Sequence, residues 1–391
     1  MEELNFPGWP AVSAEEADRV RQVLLSNRVN YWTGEEGQHF EKEFANFCES
    51  KYAIAVANGT LALDLALRSL GIGPGDQVIV TSRTFIASVS SIILVGAEPI
   101  FADVDPDSQN ITSKSIAEAI TPETRAIIAV HLAGWPCDMD AIMKLAKQHD
   151  LKVIEDCAQA HGARFRGRSV GSLADVGVWS FCQDKIMTTG GEGGMVTTND
   201  EALWSAMWSY KDHGKSWSSV YERQHPPGFR WLHDSFGTNA RLTEMQSAIG
   251  RIQLGKMPVW SETRRRNAEM VWTTARELPG LRVPEIPDEV QHGAYKCYVF
   301  VEPETLSKKW TRDRIIDRIN GLGVPCMEGS CSEVYLEKAF DNTPWRPLER
   351  LAVARELGAT SLMFPVHPTL SADHMNRICD ALKQAMYAAT V

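Results

Sequence analysis

None of the eight cysteines stands in a C-x-x-C pair. Cys326 and Cys331 lie nearest together, and no second cysteine or histidine pair accompanies them as a zinc site would require. This pattern predicts no metal centre and reduced thiols, most of them packing residues, in a cytoplasmic protein. Basic residues are also short: 40 Lys and Arg face 50 Asp and Glu, for a formal net charge of −10. Such a balance argues against a nucleic-acid binder, which needs a basic face, while leaving room for a local phosphate pocket. No apolar run approaches the length that crosses a bilayer, so no membrane partner is expected. The opening Met1-Glu2-Glu3 has no basic segment before an apolar stretch, which argues against a secretory signal. Repeats, low-complexity tracts and coiled-coil heptads are missing too.

What the chain does have is alternation. Short β-branched runs recur at Tyr52–Ala57, Gln77–Thr81, Pro99–Val104, Ala126–His131, Lys152–Asp156, Val176–Phe181 and Gly194–Thr198. Amphipathic stretches such as Thr60–Leu70 and Asp138–His149 lie between them. Strand–helix alternation with nearly continuous apolar strands predicts an α/β fold, a mostly parallel sheet covered on both faces. Functional residues then belong at the C-terminal ends of strands. At 391 residues the chain exceeds one small core, and residues 1–255 and 256–391 are expected to form a large domain and a smaller C-terminal α/β domain. Ser205–Phe236, rich in Trp and His, is expected to be irregular. Helices are expected at Arg241–Leu254, from about Pro258 to Leu278, at Thr311–Gly321 and at Ala372–Ala389, and a strand at Ala294–Val301.

Several strand ends carry chemistry-bearing residues. Asn58-Gly59-Thr60 closes one strand and opens a helix, so it either cradles a phosphate on free helix N–H groups or Thr60 simply caps the helix. Asp156 ends another strand, where it either meets a ligand or serves as an ordinary strand-end carboxylate. Lys185 follows a third strand and precedes Gly190-Gly191-Glu192-Gly193-Gly194. A lysine amine can form a Schiff base with an aldehyde cofactor, and an upstream acid can hold a pyridine nitrogen protonated. The competing reading of Lys185 is a solvated loop lysine. Ser180 either donates to phosphate or satisfies a backbone group. Phe85 either stacks on a flat ring or fills a core. His213 and Lys215 read as solvated, and the His367-Pro368 turn is ambiguous. The glycine run lacks the G-x-G-x-x-G setting of a dinucleotide site.

Taken in order, these segments resemble the DegT/DnrJ/StrS family of sugar aminotransferases dependent on pyridoxal 5'-phosphate (PLP), within fold type I of the PLP enzymes. The resemblance rests on Ala57-Asn58-Gly59-Thr60, Gly73-Pro74-Gly75-Asp76, Thr84-Phe85, His131-Leu132-Ala133-Gly134, Glu155-Asp156-Cys157-Ala158-Gln159, Ser180-Phe181 with Lys185, Gly191-Glu192-Gly193-Gly194 and Gly237-Thr238-Asn239-Ala240-Arg241. It implies a seven-stranded sheet between helices. It also implies Lys185 as the Schiff-base lysine, Asp156 as partner of the pyridine nitrogen, and Gln159 beside the cofactor's phenolic oxygen. Gly59, Thr60 and Ser180 become phosphate ligands, and Phe85 the stacking aromatic. Asn239 would reach the phosphate of the neighbouring subunit's cofactor, which implies a homodimer with shared sites. Cys182-Gln183-Asp184 departs from the commoner His/Tyr-Pro-Thr before the lysine, and Ser216–Phe236 is longer and richer in Trp and His than expected.

The implied reaction moves an amino group from L-glutamate to a keto-sugar, expected to be a nucleotide-linked 4-keto-6-deoxyhexose. PLP alternates with pyridoxamine 5'-phosphate in this scheme. The product would enter O-antigen or a related glycan. Two rivals share the scaffold. One is a pyridoxamine phosphate-dependent sugar dehydratase, whose relatives replace the lysine by histidine. The other is a non-catalytic regulator. Lys185 weighs against the first, and Lys185, Asp156 and Gln159 together weigh against the second. Arg28, Lys215 and Arg230 are candidate diphosphate contacts.

Overall fold

The computed structural model describes residues 5–390. Its strands are β1 (Tyr52–Val56), β2 (Gln77–Thr81), β3 (Glu98–Ala102), β4 (Thr124–Val130), β5 (Lys152–Asp156), the short pair β6 (Arg164–Phe165) and β7 (Arg168–Ser169), then β8 (Val176–Ser180) and β9 (Gly194–Thr198). Seven of them form one sheet in the order β1-β9-β8-β5-β4-β2-β3. Only β9 runs against its neighbours; the others share a direction. The seven strands read from the β-branched runs are these seven, with bounds shifted by one or two residues.

Alternate residues of each strand enter opposite cores, as the pleat requires. Val78, Val80, Ile128, Val178 and Val196 pack with helices Gly59–Ser69 and Ala87–Leu94 on one face. Ile79, Ile127, Ala129 and Val153 pack with helix Met139–Gln148 on the other. Ala53, Ala55, Trp179 and Met195 meet Phe40 and Phe44 there. Burial on both faces explains why these strands read as unbroken apolar runs.

Beyond the sheet, β10 (Leu281–Arg282), β12 (Cys297–Val301) and β13 (Ser361–Phe364) form a small antiparallel sheet. β11 (Val290–Gln291) instead returns to pair with β6. Helix Ala372–Thr390 covers the C-terminal core. Phe6, from the start of the described chain, packs on that same core.

Three local expectations need correction. The separate helices at Arg241–Leu254 and from Pro258 are one helix, Glu244–Arg276, running through Pro258. A proline there removes one backbone donor, but the helix is buried against neighbours on both sides of it, from Ser247 and Leu254 to Val271 and Trp272. Ser205–Lys211 is helical, as part of Glu201–Lys211, whose N-cap Asp200 accepts from Ala202 and Leu203 N–H. The strand expected from Ala294 starts at Cys297, because Ala294 sits at φ 49°, in the left-handed region.

The stretch 181–193 joins β8 to β9 as a closed loop. Phe181 N–H donates to Gly193 O at 2.8 Å, and Thr188 N–H donates to Gln253 Oε1 at 2.8 Å. Lys185 stands in this loop, at the C-terminal edge of the parallel strands.

Candidate active site

A cavity of about 730 Å³ opens at that edge. Seven of the eight expected site residues line it: Gly59, Thr60, Phe85, Asp156, Gln159, Ser180 and Lys185. Asn239 does not; it is exposed, in a segment bridged to Asp212.

One end of the cavity is built by close backbone approach. Helix Gly59–Ser69 begins at Asn58, whose side chain accepts from Leu61 N–H at 2.9 Å. The cap is therefore Asn58, and the capping reading of Thr60 is corrected: Thr60 lies inside the helix, whereas a capping side chain comes from the extended residue just before it. Gly59 is squeezed against β8, where an added Cβ would lie 2.8 Å from Ser180 Cβ. Ser180 Oγ accepts from Cys182 N–H at 3.3 Å and keeps its own proton to give. Unpaired N–H groups of a helix start, one hydroxyl from Thr60 and one from Ser180 make an anion cradle.

Asp156 sits deeper and is buried. Its Oδ2 accepts from Ser88 Oγ at 2.8 Å and its Oδ1 from Ala158 N–H at 3.1 Å. Burial pushes its carboxyl above the usual range, against the pull of these hydrogen bonds and of Lys185. A carboxylate held in place but short of positive charge suits a protonated ring nitrogen. Phe85 offers a 68% exposed ring on the same cavity, so the core reading of that residue is corrected. Gln159 Oε1 accepts from Ala133 N–H at 2.8 Å, which leaves its amide NH2 to donate. Lys185 is mostly enclosed, with Nζ 3.6 Å from Asp184 Oδ1 and 5.3 Å from the centre of the Tyr295 ring. A ring with an aldehyde, a pyridine nitrogen and a phosphate thus finds a partner for each part, and the residues present fit PLP.

Several supporting residues were not singled out from the sequence. Ser88 lies three residues beyond Phe85 and carried no role in the sequence reading. His131, quoted for the resemblance without a role, donates from Nε2 to Glu155 Oε2 at 3.0 Å and accepts Cys137 N–H at Nδ1. Glu155 also accepts from the N–H groups of Gly171, Leu173 and Ala174, so both side chains are spent on structure. Trp9 donates from its indole to Lys185 O at 2.7 Å, and Tyr295 hydroxyl donates to Asp184 Oδ2. No spacing pattern links residues so far apart.

Other expectations fall differently. Lys215 is not solvated; its Nζ lies 3.4 Å from Asp212 Oδ1 and 4.3 Å over the Trp32 ring. His367 stacks on Trp9 at 5.8 Å. Arg28, Lys215 and Arg230 do not line the cavity. All eight cysteines are unbridged, with Cys182 half-buried and Cys331 exposed. His131, Glu155 and Cys157 approach one another closely enough for a metal, but His131 and Glu155 are already saturated. Among the described residues no helix is long and apolar enough to cross a membrane.

Comparison with known proteins agrees with this geometry. The model of the DegT/DnrJ/EryC1/StrS aminotransferase family matches residues 10–383. GDP-perosamine synthase of Caulobacter vibrioides is 36% identical over 382 residues, 96% of this chain and 97% of its own. The dTDP-3-amino-3,4,6-trideoxy-alpha-D-glucose transaminase of Streptomyces venezuelae is 35% identical, covering 96% and 93%. The solved aminotransferase from Psychrobacter cryohalolentis superposes with a TM-score of 0.97 at 59% identity, covering 98% of this chain and 99% of its own. The fold is that of the fold type I PLP enzymes. The chain belongs to the DegT/DnrJ/EryC1/StrS aminotransferase family, as a sugar aminotransferase whose cofactor is pyridoxal 5'-phosphate.

Proposed function

We propose that the protein moves the amino group of L-glutamate to a nucleotide-linked keto-sugar, of the 4-keto-6-deoxyhexose class, for O-antigen or a related glycan. The observation that carries this is one cavity holding Lys185, a buried Asp156 and an anion cradle. The relatives' names support a sugar carried on GDP or dTDP. Another relative, of Acidithiobacillus ferrooxidans, is named for amination at carbon 3 of a UDP-sugar, so a substrate panel should include both positions.

Each residue then has a task. Bound PLP supplies an aldehyde for the incoming amine and a ring that takes up the electron pair released at the donor's Cα. Lys185 Nζ would be the amine that holds the cofactor's aldehyde, and when free it would accept the Cα proton and return it. Asp156 keeps a proton on the ring nitrogen, with Ser88 and Ala158 N–H fixing its two oxygens. Phe85 would cover a ring face of the bound cofactor, and the Gln159 amide would donate to its phenolic oxygen. Gly59, Thr60 and Ser180 bind the phosphate. The exposed Asn239 reaches the phosphate of a second subunit, making a cytoplasmic homodimer with shared sites. The chain divides into residues 1–255 and 256–391, with the boundary inside the helix Glu244–Arg276.

The test is a visible spectrum of the purified protein before and after L-glutamate. A yellow band that disappears with glutamate and returns with the right keto-sugar is the expected result. A band indifferent to glutamate would remove that donor from the proposal.

A further inference from the structure

Asp184 is where the chain departs from the commoner residues before the lysine, and the structure gives that departure a geometry. The Asp184 side chain lines the cavity with Lys185. Its Oδ1 lies 3.6 Å from Lys185 Nζ. Its Oδ2 receives the Tyr295 hydroxyl, 111 residues away in sequence. Tyr295 is itself mostly buried and anchored twice through its backbone. Its N–H donates to Ala133 O at 2.9 Å, and its carbonyl accepts from Arg264 Nη1 at 3.4 Å. Ala133 N–H in turn holds Gln159. One chain of contacts therefore runs from Gln159 through Ala133 and Tyr295 to Asp184 and Lys185.

We propose that Asp184 is a further catalytic residue of the amino transfer, the counter-charge that holds Lys185 Nζ while it carries the proton, and that Tyr295 is the residue that positions it. This rests on the reading of Lys185 given above. When the lysine takes the Cα proton, the C–H bond breaks and an N–H bond forms. The C–H electron pair stays on the substrate side, and Nζ goes from neutral to positively charged. A carboxylate within ion-pair distance of that nitrogen favours the charged product over the neutral start. Tyr295 occupies one carboxylate oxygen and so leaves the other aimed at the lysine. The other charged or titratable groups facing this pair are Asp156 at the end of β5, His161 beyond it, Lys296 beside Tyr295, and Arg264 on the long helix. Lys296, 5.0 Å from the Tyr295 ring centre, also attracts the Asp184 carboxylate. Asp184 is the carboxylate that touches Lys185 from within its own loop, which makes it separable by substitution.

The experiment uses the full-length loaded enzyme with Asp184→Asn, Asp184→Glu and Tyr295→Phe. A single turnover with L-glutamate should slow about tenfold in Asp184→Asn, the half-exposed carboxylate being worth about one pH unit. The glutamate concentration for half-saturation should not move. The pH at which the bound cofactor changes colour should fall by about one unit, since an anion stabilises the protonated, coloured form. Tyr295→Phe should give smaller changes of the same sign, and Asp184→Glu should restore part of the rate. Melting of the cofactor-free variants checks folding. An Asp184→Asn enzyme with a rate within about twofold of wild type and an unmoved colour change overturns the proposal. If the wild-type enzyme itself ignores glutamate, it is the donor assigned above that fails, and the colour change of the Asp184→Asn enzyme still decides the role of Asp184.

Discussion

Ser88 Oγ donates to Asp156 Oδ2 at 2.8 Å, across 68 residues of sequence and from the first turn of the helix Ala87–Leu94. The bond spends one lone pair of a buried carboxylate that forms no salt bridge among the described residues. Removing it raises the cost of keeping Asp156 ionised. Ser88→Ala should weaken PLP binding by about fivefold to tenfold, the worth of one such hydrogen bond. Asp156→Asn should cut turnover at least about a hundredfold, because the ring nitrogen loses its counter-charge. Equilibrium titration of the cofactor-free protein and steady-state kinetics measure the two effects.

Lys185→Ala should abolish turnover, by at least about a thousandfold, while circular dichroism and the melting temperature hold. The lysine side chain makes one ion-pair contact, to a half-exposed Asp184, so folding loses little. A variant that turns over normally would remove the lysine from the mechanism.

Gly59→Ala should weaken PLP binding by about tenfold or more. The new Cβ would come 2.8 Å from Ser180 Cβ, and the cradle must open to admit it. Overpacking of this kind costs about 1–3 kcal/mol. Phosphate-dependent quenching of tryptophan fluorescence in the cofactor-free protein would report it. A binding constant matching wild type would show that the helix start is not the phosphate site.

Three buried histidines make the fold acid-sensitive. Burial pulls His161 and His292 down to about 3 and His367 to about 4, from 6.5. Between those values and 6.5 the unfolded chain binds more protons than the folded one. Their contribution to stability is therefore complete above pH 6.5 and is lost as the pH falls towards 4 and 3. Melting temperature should drop steeply across that interval. His161→Phe keeps a ring against Trp179 and Phe181 and should flatten the slope. An unchanged slope would assign the acid sensitivity elsewhere.

The sheet was readable because its strands are buried on both faces, so each is a compact apolar run with polar punctuation. The same logic placed Lys185 and Asp156 at strand ends before any distance was known. Short-range rules failed where a distant partner decided the outcome. Pro258 reads as a helix start, yet packing carries one helix through it. Thr60 reads as a cap, yet Asn58 holds that position. Tyr295 and Trp9 were invisible, since their significance is a contact with a loop more than a hundred residues away.

The loop that carries Lys185 has its two ends tied to each other, Phe181 to Gly193, and its middle fastened to Gln253 and Trp9. Its backbone has nowhere to retreat when the donor displaces the amine. The only slack is the lysine's own methylene leash, so the displaced amine stays within reach at a very high local concentration. The sheet thus acts as a jig for a reagent that must leave its bond once and return to it once in every cycle.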